Sequence, residues 1–162
     1  VDRAYVDSTG LRVPATTRYY SVHGSAFVPN INSSSGAFGY YDEYGMSGYG
    51  TGTNGFTAPV ELPHGATITR FDVMYEDSNT NTDMTVTLGR VALGATGGPV
   101  ALGSVTSSGS SAGVRTMGTP VGAVVDNASF AYYLRGQLFS FGGSLHRIVG
   151  VRITYTVTSP LP

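Results

Sequence analysis

Four oxygen-bearing side chains stand at alternate positions in the run Asp77-x-Asn79-x-Asn81-x-Asp83. Calcium takes several oxygen ligands from a flexible loop, and this spacing is that of the first half of a calcium-binding loop. The second half is missing. Thr82 stands where such a loop has glycine, and Leu88 where it has its bidentate glutamate. The expectation is that no cofactor is required, and that calcium is the ion Asp77, Asn79, Asn81 and Asp83 would hold. Asp42 and Glu43 would complete the set only if folding brought them close. The competing reading is a solvated turn.

Other patterns fail on context. Gly50-Thr51-Gly52-Thr53-Asn54-Gly55 has the spacing of a dinucleotide fingerprint, which needs a strand before it and a helix after it to aim amides at a pyrophosphate. Here a stretch containing Pro59 follows. Gly109-Ser110-Ser111-Ala112-Gly113 fits a nucleophile elbow, but that too requires a helix, and a histidine within reach. The three histidines, His23, His64 and His146, are isolated in sequence. No two of the ten acids are singled out as an opposed pair for glycoside hydrolysis. No catalytic residue is assigned, and the chain is read as a non-enzyme. Asn32-Ser33-Ser34 and Asn127-Ala128-Ser129 match the glycosylation acceptor pattern and are read as loops.

A second set of residues offers contact rather than chemistry. From Asn32 to Asn54 the pattern dissolves into Gly, Ser and Tyr, with Tyr40, Tyr41, Tyr44 and Tyr49 among six glycines. Tyrosine supplies rigid amphipathic area while glycine and serine adapt to shape, so such a loop reads as a binding or interface surface. The alternative is that these tyrosines cap the core.

The elements that would position these residues are strands. Ala66 to Leu93 carries the longest period-two pattern: Phe71, Val73 and Tyr75 share one face, and Met84, Val86 and Leu88 another. The expectation is one long β-hairpin with Asp77 to Asp83 as a projecting polar tip. Phe130 to Phe139 reads as a strand with Phe130, Tyr132, Leu134 and Leu138 in phase. His146 to Thr158 reads as a central strand. Val114–Met117 and Val121–Val125 read as two short strands punctuated by Pro120. No stretch has a capped 3.6-residue apolar period. The fold expected is all-β, an antiparallel two-sheet β-sandwich of jelly-roll type with an extended N-terminal arm. Residues 1–17 form that arm and residues 18–162 a single sandwich domain. In the arm Ala4, Tyr5, Val6, Leu11 and Val13 are the strand-forming residues, suited to add a strand to a neighbouring copy.

Composition limits the partners. Charged residues make up 12% of the 162, ten acids against nine bases, too weak a field to draw nucleic acid. All nine bases are arginine, so no lysine blunts the sheet edges. Cysteine is absent, which removes disulfides and thiolate metal sites. No apolar run approaches the ~18 residues needed to span a bilayer. A start at Val1 instead of Met predicts a processed, exported chain, secreted or held at the cell surface.

Three stretches carry a resemblance: Gly24-Ser25-Ala26-Phe27-Val28-Pro29, the run from Phe56 to Ile68, and Gly150-Val151-Arg152-Ile153-Thr154-Tyr155. Over about residues 19–157 the chain resembles small exported bacterial domains expected to be β-sandwiches. The resemblance implies export and fold and supplies no activity. It also implies two cysteines that this chain lacks, with Tyr40-Tyr41 and Ile148-Val149 in those neighbourhoods.

Three functions follow as expectations. The first is a self-assembling extracellular subunit of a fibre, tube or sheet. Its partners are copies of itself, linked when the arm of one subunit donates a strand to the next. The second is a cell-surface module binding carbohydrate or another ligand through the tyrosine loop and the acidic tip. The third is a viral or phage capsid or decoration protein.

Overall fold

The computed structural model describes residues 5–7, 10–12, 14–29, 38–42, 45–49, 52–94, 98–140 and 146–158. The strands are β1 (Tyr5–Asp7), β2 (Gly10–Arg12), β3 (Thr16–His23), β4 (Val28–Pro29), β5 (Phe38–Asp42), β6 (Gly45–Tyr49), β7 (Gly52–Val60), β8 (Thr67–Asp77), β9 (Thr85–Ala92), β10 (Val100–Thr106), β11 (Ser111–Val124), β12 (Phe130–Ser140) and β13 (His146–Val157). One short 3-10 turn, Gly24–Ala26, is the helical content among these residues.

Two antiparallel sheets face each other. One has five strands in the order β10-β9-β12-β7-β4, the other six, with β11-β8-β13-β6-β5 in line and β3 also on β13. The strand β13 pairs with β8 along one edge, while its other edge is shared by β3 and, near its start, β6. The sandwich with a jelly-roll-like arrangement is thus the fold. Alternation decides which residues fill it. Phe56, Leu88, Leu134 and Leu138 from the five-stranded sheet meet Ile68, Phe71, Val151 and Ile153 from the six-stranded one, all fully buried. Each such side chain stabilises the fold by roughly 1.5–3 kcal/mol relative to exposure.

Three expectations are corrected. The stretch Ala66–Leu93 is not a hairpin: β8 pairs with β11 and β13, whereas β9 pairs with β10 and β12 in the opposite sheet. Period-two alternation states which face is buried, and two strands that cover each other across a core carry the same pattern as two that pair. The connection is therefore an arch between sheets, and its residues Asp77 (0% exposed) and Asn79 (2%) are buried instead of projecting.

The Gly/Tyr stretch is not one long loop, since β5 and β6 lie inside it and β7 begins at Gly52. Tyr40 and Tyr41 fall in β5 and Tyr49 in β6, while Tyr44 lies outside the described residues. Glycines without β-branched neighbours hide a strand from pattern reading.

Finally, Pro120 does not divide two strands. It sits within β11, an edge strand, where a missing N–H costs no ladder bond and a register shift follows it.

The first two strands pair with each other. Tyr5 pairs with Arg12, Val6 with Leu11 and Asp7 with Gly10, so β1 and β2 close on each other as a separate two-stranded sheet. Ala4 and Val13 lie outside the described residues. Among the described residues no helix is long and apolar enough to cross a membrane.

Candidate functional site

Strand β12 lies at the middle of the five-stranded sheet. Tyr132, Leu134, Gly136 and Leu138 are buried toward the core, so the alternate residues Ala131, Tyr133, Arg135 and Gln137 line the outer face. Tyr133 stands opposite Gly89 of β9 on one side and Pro59 of β7 on the other. Its ring lies across Gly89: a Cβ added there would come within 2.6 Å of both Cζ and Oη of Tyr133. Only glycine leaves room for the ring to rest on the sheet. Gly89 is buried on an outer face because the ring covers it.

The rows beside the ring are polar and nearly uncharged. Arg135 stands between Thr57 and Thr87, and Gln137 between Gly55 and Thr85. Across the next strand pair, Thr87 Oγ1 and Ser104 Oγ are 3.0 Å apart and Thr85 Oγ1 and Thr106 Oγ1 3.1 Å, two hydroxyl rungs of a ladder. Arg135 is exposed and makes no ion pair or side-chain hydrogen bond among the described residues. The face thus offers one aromatic surface, one unengaged cation, an amide and several hydroxyls.

The platform runs into a groove at the sheet's end. Its volume is about 590 Å³, and Pro59, Glu61, Asn127, Phe130, Ala131 and Tyr155 are among its walls. Pro59 is the register partner of Tyr133, and Ala131 precedes it by two on the same face. The walls are tied down. Asn127 Nδ2 donates to Leu62 O at 2.8 Å, and the Asn127 amide donates to His64 Nδ1 at 3.1 Å. Tyr132 Oη accepts from the Asp126 amide at 2.8 Å. Arg90 places its guanidinium 4.1 Å from the centroid of the Phe130 ring. The Ser129 hydroxyl holds the Asp126 carboxyl below its ordinary range; desolvation opposes it, and the amides of Ala128 and Ser129 and nearby His64 add to the lowering.

The outer face of the six-stranded sheet is different. Arg70 Nε donates to Asp72 Oδ1 at 2.7 Å, and Arg152 reaches Asp72 Oδ2 at 3.4 Å. Tyr19, 64% exposed, stacks near Arg152 at 5.8 Å. Both arginines are already engaged, so this cluster is more self-satisfied than the Tyr133 face.

The residues expected to hold calcium are divided by the fold. Asp77 Oδ1 accepts from the Asn79 amide at 2.9 Å and Oδ2 from Ser107 Oγ at 2.6 Å, and His146 Nε2 lies 3.1 Å from Oδ1. Asn79 Oδ1 accepts from the amides of Asn81 and Thr82 at 2.9 and 3.2 Å. These oxygens close turns in the arch, while Asn81 and Asp83 are exposed. Two of the four are thus buried and engaged within the arch, and two face solvent. Among the described residues no group of three or more His, Cys, Asp or Glu could hold a metal ion.

Ser107, Asp77 and His146 do meet, but not as a nucleophile and its base. The acid sits between serine and histidine, whereas catalysis needs the imidazole on the hydroxyl. All three are buried, so the network is structural.

Pattern reading did not single out Tyr133 as a site residue. Its signal was its place out of phase with Tyr132 and Leu134, beside a strand carrying Gly89 in place of a branched residue. Of the tyrosines that were singled out, Tyr40 stands in register with Ser47, which pairs with Arg147 of β13.

The sequence matches no protein-family model and no curated protein. Solved structures do share the fold. The xylan-binding module CBM15 is 11% identical, with a TM-score of 0.54 over 86% of this chain and 97% of that one. The CBM36-1 domain of a multidomain xylanase from the hindgut metagenome of Trinervitermes trinervoides is 14% identical, with a TM-score of 0.52 over 84% of this chain and 96% of that one. At these identities the likeness is one of fold.

The comparison overturns the expectation of a self-assembling fibre, tube or sheet built from copies of the chain. The structures that share the sandwich at these scores are carbohydrate-binding domains. A weakly charged, lysine-free surface was the ground for expecting polymers, and a polar hydroxyl face gives that composition another use.

Proposed function

We propose that the chain is a carbohydrate-binding module that receives an extended, largely neutral polysaccharide along β12, on the outer face of the five-stranded sheet. One observation carries the reading: Tyr133 lies across Gly89 in line with Arg135 and Gln137 on the central strand. An aromatic ring has an electron-rich face, and the C–H edges of a pyranose are the complementary surface. A ring already seated on the sheet loses little freedom when a sugar covers it, which favours affinity. The hydroxyls of Thr57, Thr85 and Thr87 and the amide of Gln137 both donate and accept, as sugar hydroxyls do. From Tyr133 to Gln137 is roughly 13 Å at the strand rise, an elongated footprint suited to a chain.

Nothing in this mode alters the ligand, so the module binds without catalysis. Such a module works where polysaccharide is met, outside the cell or at its surface. One of the two structures above is a xylan-binding module and the other a domain of a xylanase, which makes xylan the first polysaccharide to test. Electrophoresis through a gel containing soluble xylan should retard the chain, and Tyr133→Ala should migrate as in the empty gel. Unretarded migration of the unmodified chain through xylan and through neutral glucan gels alike would retire the reading.

A further inference from the structure

The groove beside the platform is a site of its own kind. Its volume of about 590 Å³ lies in the range of small-ligand pockets, roughly 300–1,000 Å³. Its walls combine the outer-face residues Pro59 and Ala131 with the core-facing Tyr132 and with Tyr155 of the other sheet. Strand β4 pairs with β7 only at Thr57 and Phe56, so the edge of β7 beyond is not covered by β4. Resting on the glycan-binding reading above, we infer that this groove is a second subsite, which takes a neutral sugar of the same glycan through adjacent hydroxyls and disfavours a uronate.

The chemistry follows from the walls. Glu61 is exposed, has no ion pair or side-chain hydrogen bond among the described residues, and offers two carboxylate oxygens that accept from neighbouring hydroxyls. Asn127 has its amide nitrogen committed to Leu62 O, which leaves its carbonyl oxygen as an acceptor. Phe130, fixed by Arg90, supplies an apolar wall. The groove therefore presents acceptors and an anion, matched to sugar hydroxyls and mismatched to a sugar carboxylate. Arg135, the cation, lies on the far side of Tyr133 from the groove. A bound chain thus meets an anion at one end and a cation at the other, so the surface has a direction.

Calorimetric titration of the whole chain tests this, with neutral xylo-oligosaccharides of increasing length and with oligogalacturonides as the uronate probe. Glu61 is exposed, so Glu61→Ala and Glu61→Gln should fold. Glu61→Ala should weaken the longer neutral ligands about tenfold and leave the shortest unchanged, as loss of a charge-assisted hydrogen bond implies. Glu61→Gln should narrow the gap between neutral and uronate ligands. Tyr133→Ala should weaken every length. If both Glu61 variants match the unmodified chain at all lengths while Tyr133→Ala loses binding, the subsite is overturned and the platform stands. If Tyr133→Ala binds normally while Glu61→Ala does not, the platform is wrong and the groove is the site. If the unmodified chain binds none of the probes, both fall.

Discussion

Tyr133 and Gly89 form one surface between them: the ring of the first occupies the space where a side chain of the second would stand, 2.6 Å from a would-be Cβ. Two neighbouring strands thereby place an aromatic plane on the sheet, held from below by backbone.

Gly89→Ala should push that ring away. Displacing it from its rotamer costs about 0.5–1.5 kcal/mol. Alanine returns about 0.4–1 kcal/mol by restricting the unfolded chain, because Gly89 does not have a positive φ. Thermal stability should therefore change little while xylan affinity falls. A thermal melt and a binding isotherm on the same sample check the split, and equal loss of both would place the effect in folding instead of the platform.

The arch from Asp77 to Met84 should behave as a structural knot. Asp77→Ala leaves Ser107 Oγ, the Asn79 amide and His146 without this acceptor in a buried site. The expected loss is about 3–5 kcal/mol, read as a lower urea midpoint at unchanged slope. A chelator should leave the thermal midpoint of the unmodified chain where it was. A drop on chelation that Asp77→Ala abolishes would show that these oxygens hold an ion after all.

Acid should loosen the turn that carries Asn127. Asp126 is held below its ordinary value of 3.8, chiefly by the Ser129 hydroxyl, and its turn carries Asn127. A carboxyl lowered on folding contributes stability that is complete above its unfolded value and is lost as pH falls through the lower folded one. Protection of the amide of Ala128, which donates to Asp126 Oδ1, should therefore hold at neutral pH and decline below 3.8. Asp126→Asn should remove that decline, as followed by hydrogen exchange.

Much of the fold was legible because burial and alternation coincide. Phe71, Val73 and Tyr75 announce β8, and Val151, Ile153 and Val157 announce β13, each in its buried phase. What lay beneath those faces was not legible. The same alternation describes a hairpin and an arch, and nothing local to residues 78–84 distinguishes a turn in solvent from one packed between sheets. Asp77 and Asn79 read as ion ligands because oxygen at alternate positions serves a cation and an Asx turn equally. Strands β5 and β6 were hidden by glycine. The candidate site was hardest to see, since it needs Tyr133 and Gly89 to be neighbours across strands 44 residues apart in sequence, a matter of register. Tyr40, Tyr41, Tyr44 and Tyr49 stand out in the sequence by density of tyrosine, a signal that Tyr133, paired with a glycine on the next strand, does not give.

Whether a glycan lies along β12 is read from backbone amide shifts on titration with a xylo-oligosaccharide. The largest changes are expected at Gly89, Tyr133, Arg135 and Gln137, fading toward the six-stranded sheet. Changes confined to the opposite face, around Tyr19, Asp72 and Arg152, or none at saturating ligand, would contradict it.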